Sequence, residues 1–179
     1  MRIYALSACV FLAILLLAVP AESAPIRLGA PEYVAASSGV FEALRNGDAR
    51  EIGGELRFAP RRLKLLPRFV PDLIPVAGFM AGSQGTLYFY GGFRVDYPLG
   101  ERWVATPSWG VGLYERADGK RLGGPLEFRS GIELAYRLRD GSRLGVCLYH
   151  LSNAGLFDFN PGSESLVLTY SAGLRRQRR

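Results

Sequence analysis

Several stretches of about ten residues place apolar side chains on every second position, and this period limits the fold more than any other feature. In 126–138, Leu126, Phe128, Ile132, Leu134, Tyr136 and Leu138 share one parity, with Ser130 as its single polar member. Glu127, Arg129, Gly131, Glu133, Ala135 and Arg137 hold the other. In 87–97, Leu87, Phe89, Phe93, Val95 and Tyr97 oppose Tyr88, Tyr90, Arg94 and Asp96. In 103–113, Trp103, Ala105, Trp109, Val111 and Leu113 oppose Thr106, Ser108 and two glycines. An extended chain whose two faces meet different surroundings has this pattern. A soluble sandwich alternates as well. These segments are long, however, and aromatic residues gather near the ends of the apolar face, as in the girdles of a transmembrane β-barrel.

Eight segments qualify: roughly 31–41, 50–59, 72–82, 85–97, 102–115, 125–139, 142–152 and 164–174. The expected fold is all-β, an eight-stranded antiparallel transmembrane β-barrel of the bacterial outer membrane. Glu and Arg alternate on the polar parity and would pair inside. A barrel this narrow is filled by its side chains, which argues against a porin. The 179 residues suit one domain. Residues 1–23 read as a secretory signal peptide: Met1-Arg2, the apolar run "IYALSACVFLAILLLAV", then "PAESAP", with cleavage between Ala21 and Ala24. The barrel domain is then 24–179, including a basic tail at 175–179. "LSAC", ending at Cys9, fits a lipoprotein box, but most of the hydrophobic core follows it. Removal of the signal leaves Cys147 alone, so no intramolecular disulfide can form, and a buried apolar role is expected for it. Past the signal, no apolar run approaches the roughly 20 residues of a membrane helix. The nearest, "LKLLPRFVPDLIPVAGF", is broken by Arg68, Asp72 and three prolines.

Small outer-membrane barrels have short periplasmic turns and longer external loops, and an even strand number puts both termini in the periplasm. Residues 97–101 and the hairpin signal Asp140-Gly141 are then periplasmic, and 115–124 and 153–163 external. The long, basic 60–71 segment stands where a short turn is expected and reads as interfacial.

The chain's one histidine lies in "SRLGVCLYHLS", 142–152. Leu144, Val146, Leu148, His150 and Ser152 share the lipid-facing parity, with His150 and Ser152 about 7 Å apart along the strand. In the last segment Glu164 shares parity with Leu166, Leu168, Tyr170 and Leu174. The three polar side chains therefore meet on the outer wall near the external loops, where such groups are costly unless they have a function. Together they supply a nucleophile, a general base and a group that orients the base. Set against this, a bare His-x-Ser at a strand end is more often a pair of headgroup-zone polar residues.

The stretch "HLSNAGLFDFNPGSES" resembles the PagL family of outer-membrane lipid A 3-O-deacylases at His150, Ser152, Asn153, Ala154, Gly155, Leu156, Asn160, Gly162, Glu164 and Ser165. The motif spans about 16 residues, and so many matched positions outweigh the bland reading. The resemblance implies a serine esterase that hydrolyses the ester-linked 3-hydroxyacyl chain at position 3 of lipid A in the outer leaflet. Ser152 would be the nucleophile, His150 the base and Glu164 the orienting acid. Asn160 and the backbone N–H of Gly155 would form the oxyanion hole, and Asn153 has no assigned role. No cofactor and no metal are implied. The partners implied are lipid A as substrate and outer-membrane lipid around the barrel, with a homodimer as an open arrangement. Two other readings remain: a non-enzymatic small barrel, and an esterase acting on phospholipid. The terminal "GLRRQRR" departs from the aromatic end usual in such barrels. Its four arginines contribute most of the net charge of +6, leaving +2 without them. Arg116, Lys120 and Arg121 could meet lipid phosphates, although solvated rim charge explains them equally well. No motif supports nucleic-acid binding.

Overall fold

The alternation becomes a closed wall of strands. The structure, a computed structural model, describes residues 29–44, 49–63 and 66–174. The expected signal peptide with its cleavage point, Cys9 and the 175–179 tail lie outside the described residues. The strands are β1 Tyr33–Phe41, β2 Arg50–Arg57, β3 Leu73–Gly82, β4 Leu87–Val95, β5 Tyr97–Leu99, β6 Trp103–Glu115, β7 Leu126–Arg137, β8 Arg143–Ser152 and β9 Ser163–Gly173. Each pairs antiparallel with its neighbours, β4 pairs with β6, and β1 pairs with β9. The ring closes as an eight-stranded barrel, as the alternation predicts.

The fourth expected strand divides in two, and prolines explain why. The register Arg94↔Ser108 continues unshifted to Tyr97↔Ala105, which sets Val95 opposite Pro107. Pro107 has no N–H to donate, so the ladder lapses there and resumes as β5. β5 is a three-residue extension of β4 that pairs only with β6.

Side chains sort by parity as membrane solvation requires. Ile52, Phe89, Leu113, Ile132, Leu144 and Leu168 are among the apolar residues exposed on the outer wall. Inside, Glu55 bridges Arg57 at 2.8 Å and Arg94 at 2.9 Å, while Glu133 reaches the same two arginines at 3.3 and 2.8 Å. Each carboxylate faces two guanidiniums, so no member of this buried ring is left as an unpaired charge. The Arg129 guanidinium lies between the rings of Tyr90 and Tyr149, 5.0 and 4.1 Å from their centroids. The cavity left among these groups holds only ≈ 40 Å³, too little for a channel. Cys147 is buried on this inner face, as its parity predicts.

The two ends of the barrel differ. At the end carrying both described termini, 138–142 makes a tight turn in which Asp140 Oδ1 accepts from the hydroxyl and amide of Ser142 at 2.6 and 3.0 Å. Those bonds, the hydroxyl's first, hold the exposed Asp140 carboxyl below its ordinary range. At the same end, the basic connection after β2 is folded by Arg62, whose guanidinium donates to the carbonyls of Leu66, Pro67 and Val70. Phe69, in that connection, is 82% exposed. The opposite end carries the 116–125 and 153–162 connections, and the site lies just below them.

Candidate active site

Cross-strand register, more than sequence spacing, assembles the site. One row of paired residues runs across the outer wall: Trp109↔Ser130, Ser130↔His150 and His150↔Glu164. Because β8 and β9 are antiparallel neighbours, Glu164, fourteen positions further along the chain, stands directly beside His150. His150 Nδ1 lies 3.2 Å from Glu164 Oε1. The imidazole is 42% exposed and the carboxylate 23%. Glu164 Oε2 is buried with no hydrogen-bond partner among the described residues, so the histidine is the group this carboxylate addresses. An acceptor at Nδ1 fixes a proton on that nitrogen and leaves Nε2 as the basic one.

Ser152 ends β8 on the same face as His150, two residues on, and is half-buried. No hydrogen bond joins its hydroxyl to His150 in this structure. The Cε1–Nε2 edge of the imidazole lies instead against Gly162, where an added Cβ would come within 2.5 Å of Cε1 and 3.1 Å of Nε2. Long or misaligned catalytic hydrogen bonds are common in unliganded enzymes and tighten when substrate binds.

Immediately after Ser152 the chain turns sharply. Ala154 and Gly155 have φ of 55° and 81°, and the Leu156 N–H donates to the Asn153 carbonyl at 3.0 Å. Two successive positive φ values with this bond define a type I′ turn. Gly155 suits its position, whereas Ala154 stores strain of about 1 kcal/mol or more.

Asn153, which the sequence left without a role, is the centre of this end of the barrel. It is fully buried. Its Nδ2 donates to the carbonyls of Leu122 and Phe159, both at 2.9 Å, and its Oδ1 accepts the Gly155 N–H at 3.0 Å. Its own N–H donates to Asn160 Oδ1 at 3.2 Å, which leaves the Asn160 NH₂ group available to a ligand. One side chain thus ties the 116–125 loop to the 153–162 loop. Both expected oxyanion donors sit within its hydrogen-bond network, and the Gly155 N–H is already engaged by it.

Sequence reasoning also named Ser130 and Gly162 without giving either a role. The signal for Ser130 was present, since it alone breaks the apolar parity of its strand. Gly162 stood among the matched motif positions, but its contact with the imidazole depends on how the loop folds back.

This is an eight-stranded membrane β-barrel with a histidine–carboxylate pair on its outer wall, beside a serine at the head of a strained turn. A family model described as lipid A 3-O-deacylase (PagL) matches residues 76–172. The chain belongs to that family. It is 32% identical over 74 residues to the lipid A deacylase PagL of Bordetella bronchiseptica, a match covering 40% of this chain and 42% of that relative's length. The solved structure titled "Crystal structure of the outer membrane enzyme PagL" superposes with a TM-score of 0.60 at 22% identity. The superposition covers 78% of this chain and 97% of that one, and shows the shared barrel fold.

Proposed function

We propose that the protein is a lipid A 3-O-deacylase of the bacterial outer membrane, with Ser152, His150 and Glu164 as its catalytic triad and the site facing the outer leaflet. The observation that carries this reading is the 3.2 Å contact between His150 Nδ1 and Glu164 Oε1 on a wall clothed mainly in apolar side chains. Family membership supplies the ester substrate.

The Ser152 hydroxyl attacks the ester carbonyl while His150 Nε2 takes its proton. The carbonyl oxygen becomes an oxyanion, held by the Asn160 amide and by the Gly155 N–H as it is shared or released by Asn153. Collapse breaks the bond to the sugar oxygen, which takes the proton back from His150 and departs as the free hydroxyl. Water, deprotonated by the same imidazole, then attacks the acyl-serine, releasing the 3-hydroxy acid and restoring Ser152. Glu164 orients the imidazole and stabilises the imidazolium formed as His150 takes the proton. Donors fixed on the oxyanion supply the largest electrostatic contribution. An outward triad lets the ester reach the nucleophile without leaving the bilayer.

The test is mass spectrometry of lipid A from cells with and without the protein. The reading predicts loss of one 3-hydroxyacyl chain from lipid A. Unchanged lipid A accompanied by new lysophospholipid would transfer the substrate to phospholipid, and no change in either would contradict enzymatic function.

A further inference from the structure

Directly behind the His150–Glu164 row, the barrel interior holds a carboxylate unlike its neighbours. Glu55 and Glu133 bridge arginines, whereas Glu51 of β2 bonds two hydroxyls. Its Oε1 accepts from the Tyr149 hydroxyl at 2.5 Å and its Oε2 from the Ser165 hydroxyl at 2.8 Å. All three side chains are buried. Tyr149 and Ser165 are themselves strand partners, and they form the row next to His150↔Glu164. One carboxylate therefore grips, from inside, both residues whose chain neighbours are the pair on the outer wall. β1 lies between β2 and β9, yet it sets Gly39 opposite both Glu51 and Val167. No side chain blocks the reach at that level, and a Cβ there would come within 2.1 Å of the Leu166 carbonyl oxygen. The Tyr149 ring is held as well as its hydroxyl, with the Arg129 guanidinium 4.1 Å from its centroid.

We propose that Glu51 is a positioning residue for the His150–Glu164 pair, acting through Tyr149 and Ser165. The coupling is geometric. Successive side chains of a strand point to opposite faces, and the peptide between them is planar. Fixing Tyr149 and Ser165 inward thus sets the outward angles of His150 and Glu164. Backbone ladders tolerate a range of twist between neighbouring strands. The carboxylate bridge removes that freedom at this row. The pair has little slack, because 3.2 Å lies at the long end of an N–H···O hydrogen bond. A displacement of about half an ångström releases Nδ1 from the Glu164 carboxylate. With that bond goes the preference for the tautomer that leaves Nε2 basic.

This inference rests on the triad reading, and its first readout does not depend on turnover. His150 is the chain's one histidine, so nitrogen NMR of the folded protein in detergent reports its tautomer without ambiguity. The unaltered protein should show the Nδ1–H form. Glu51→Ala should shift it towards the Nε2–H form. The same variant should lower kcat for fatty acid release from lipid A about 10-fold or more, with KM little changed. Tyr149→Phe keeps the buried ring and removes one donor, so it should move both readouts the same way by less. That variant decides the question if Glu51→Ala does not fold. Glu51→Gln keeps an acceptor for Tyr149 and should restore most of the tautomer and of kcat. Arg94→Ala breaks the inner ring without touching this bridge and should leave the tautomer as it was. The Nε2–H form in the unaltered protein, an unchanged tautomer in the folded Glu51 and Tyr149 variants, or an equal shift in Arg94→Ala overturns the role of Glu51. Failure of the unaltered protein to release fatty acid overturns the deacylase reading, and the tautomer alone then decides whether Glu51 holds the pair.

Discussion

Replacing Asn153 by alanine should loosen two loops without opening the barrel. The variant loses the bonds from Nδ2 to the carbonyls of Leu122 and Phe159 and the bond from the Gly155 N–H to Oδ1. These losses are unequal. Phe159 and Gly155 are exposed, so their freed groups turn to water and each bond is worth about 0.5–1.5 kcal/mol net. Leu122 is 1% exposed, so its carbonyl stays buried without a partner, at about 1–3 kcal/mol. The loops should therefore lose about 2–6 kcal/mol of local stability, while every strand ladder is retained. Trypsin cuts at Arg116, Lys120 or Arg121 in the first loop, and chymotrypsin at Phe157 or Phe159 in the second. When local opening governs cleavage, a loss of 2 kcal/mol raises the rate about 30-fold. Both proteases should cut the folded variant at least that much faster, while the temperature at which the barrel loses its compact gel mobility stays near its original value. Unchanged cleavage in both loops would refute the reasoning, and cleavage in one loop alone would show that Asn153 does not couple them.

Gly162→Ala sets a methyl group 2.5 Å from His150 Cε1 at a φ of 65°, so the imidazole must shift and the turn is strained by about 1 kcal/mol. Thermal stability should drop slightly and kcat more than tenfold, and equal kcat would show that Gly162 does not position the base. Arg94→Ala removes the guanidinium shared by Glu55 and Glu133 and leaves buried carboxylates short of a partner, so urea refolding into vesicles should show a loss of about 3–5 kcal/mol. A loss below 1 kcal/mol would mean that water already screens the inner ring. In membranes, an apolar maleimide should label Leu148→Cys in a Cys147→Ala background faster than native Cys147, because position 148 is exposed on the outer wall and Cys147 is buried. The opposite preference would turn His150 and Ser152 inward.

How much the sequence disclosed follows from what parity can and cannot carry. Parity assigns a face to every residue of a strand, so the outward direction of His150, Ser152 and Glu164 and the inward Glu–Arg pairing were legible from one chain. It cannot align two strands, and the row through Trp109, Ser130, His150 and Glu164 exists only through register. The break between β4 and β5 was missed for the same reason, since Pro107 matters there only because it lies across from Val95. Asn153 and Gly162 act through contacts made by the loops, where no period exists to be read. Arg62, gathering three carbonyls in the connection after β2, shows how a long basic segment can be ordered at the end where a short turn was expected.

The central claim is that Ser152, served by His150 and Glu164 on the outer wall, cleaves the acyl ester of lipid A. Release of 3-hydroxy fatty acid from purified lipid A by the folded protein and by its Ser152→Ala variant tests it most directly. The Ser152 side chain belongs to none of the inner-barrel hydrogen bonds, so the variant should assemble normally and show the heat-dependent gel shift of the unaltered barrel. Its rate should fall to on the order of one thousandth or less, the scale on which serine hydrolases lose activity with their nucleophile. A correctly folded Ser152→Ala protein that releases the fatty acid at an undiminished rate would contradict the account.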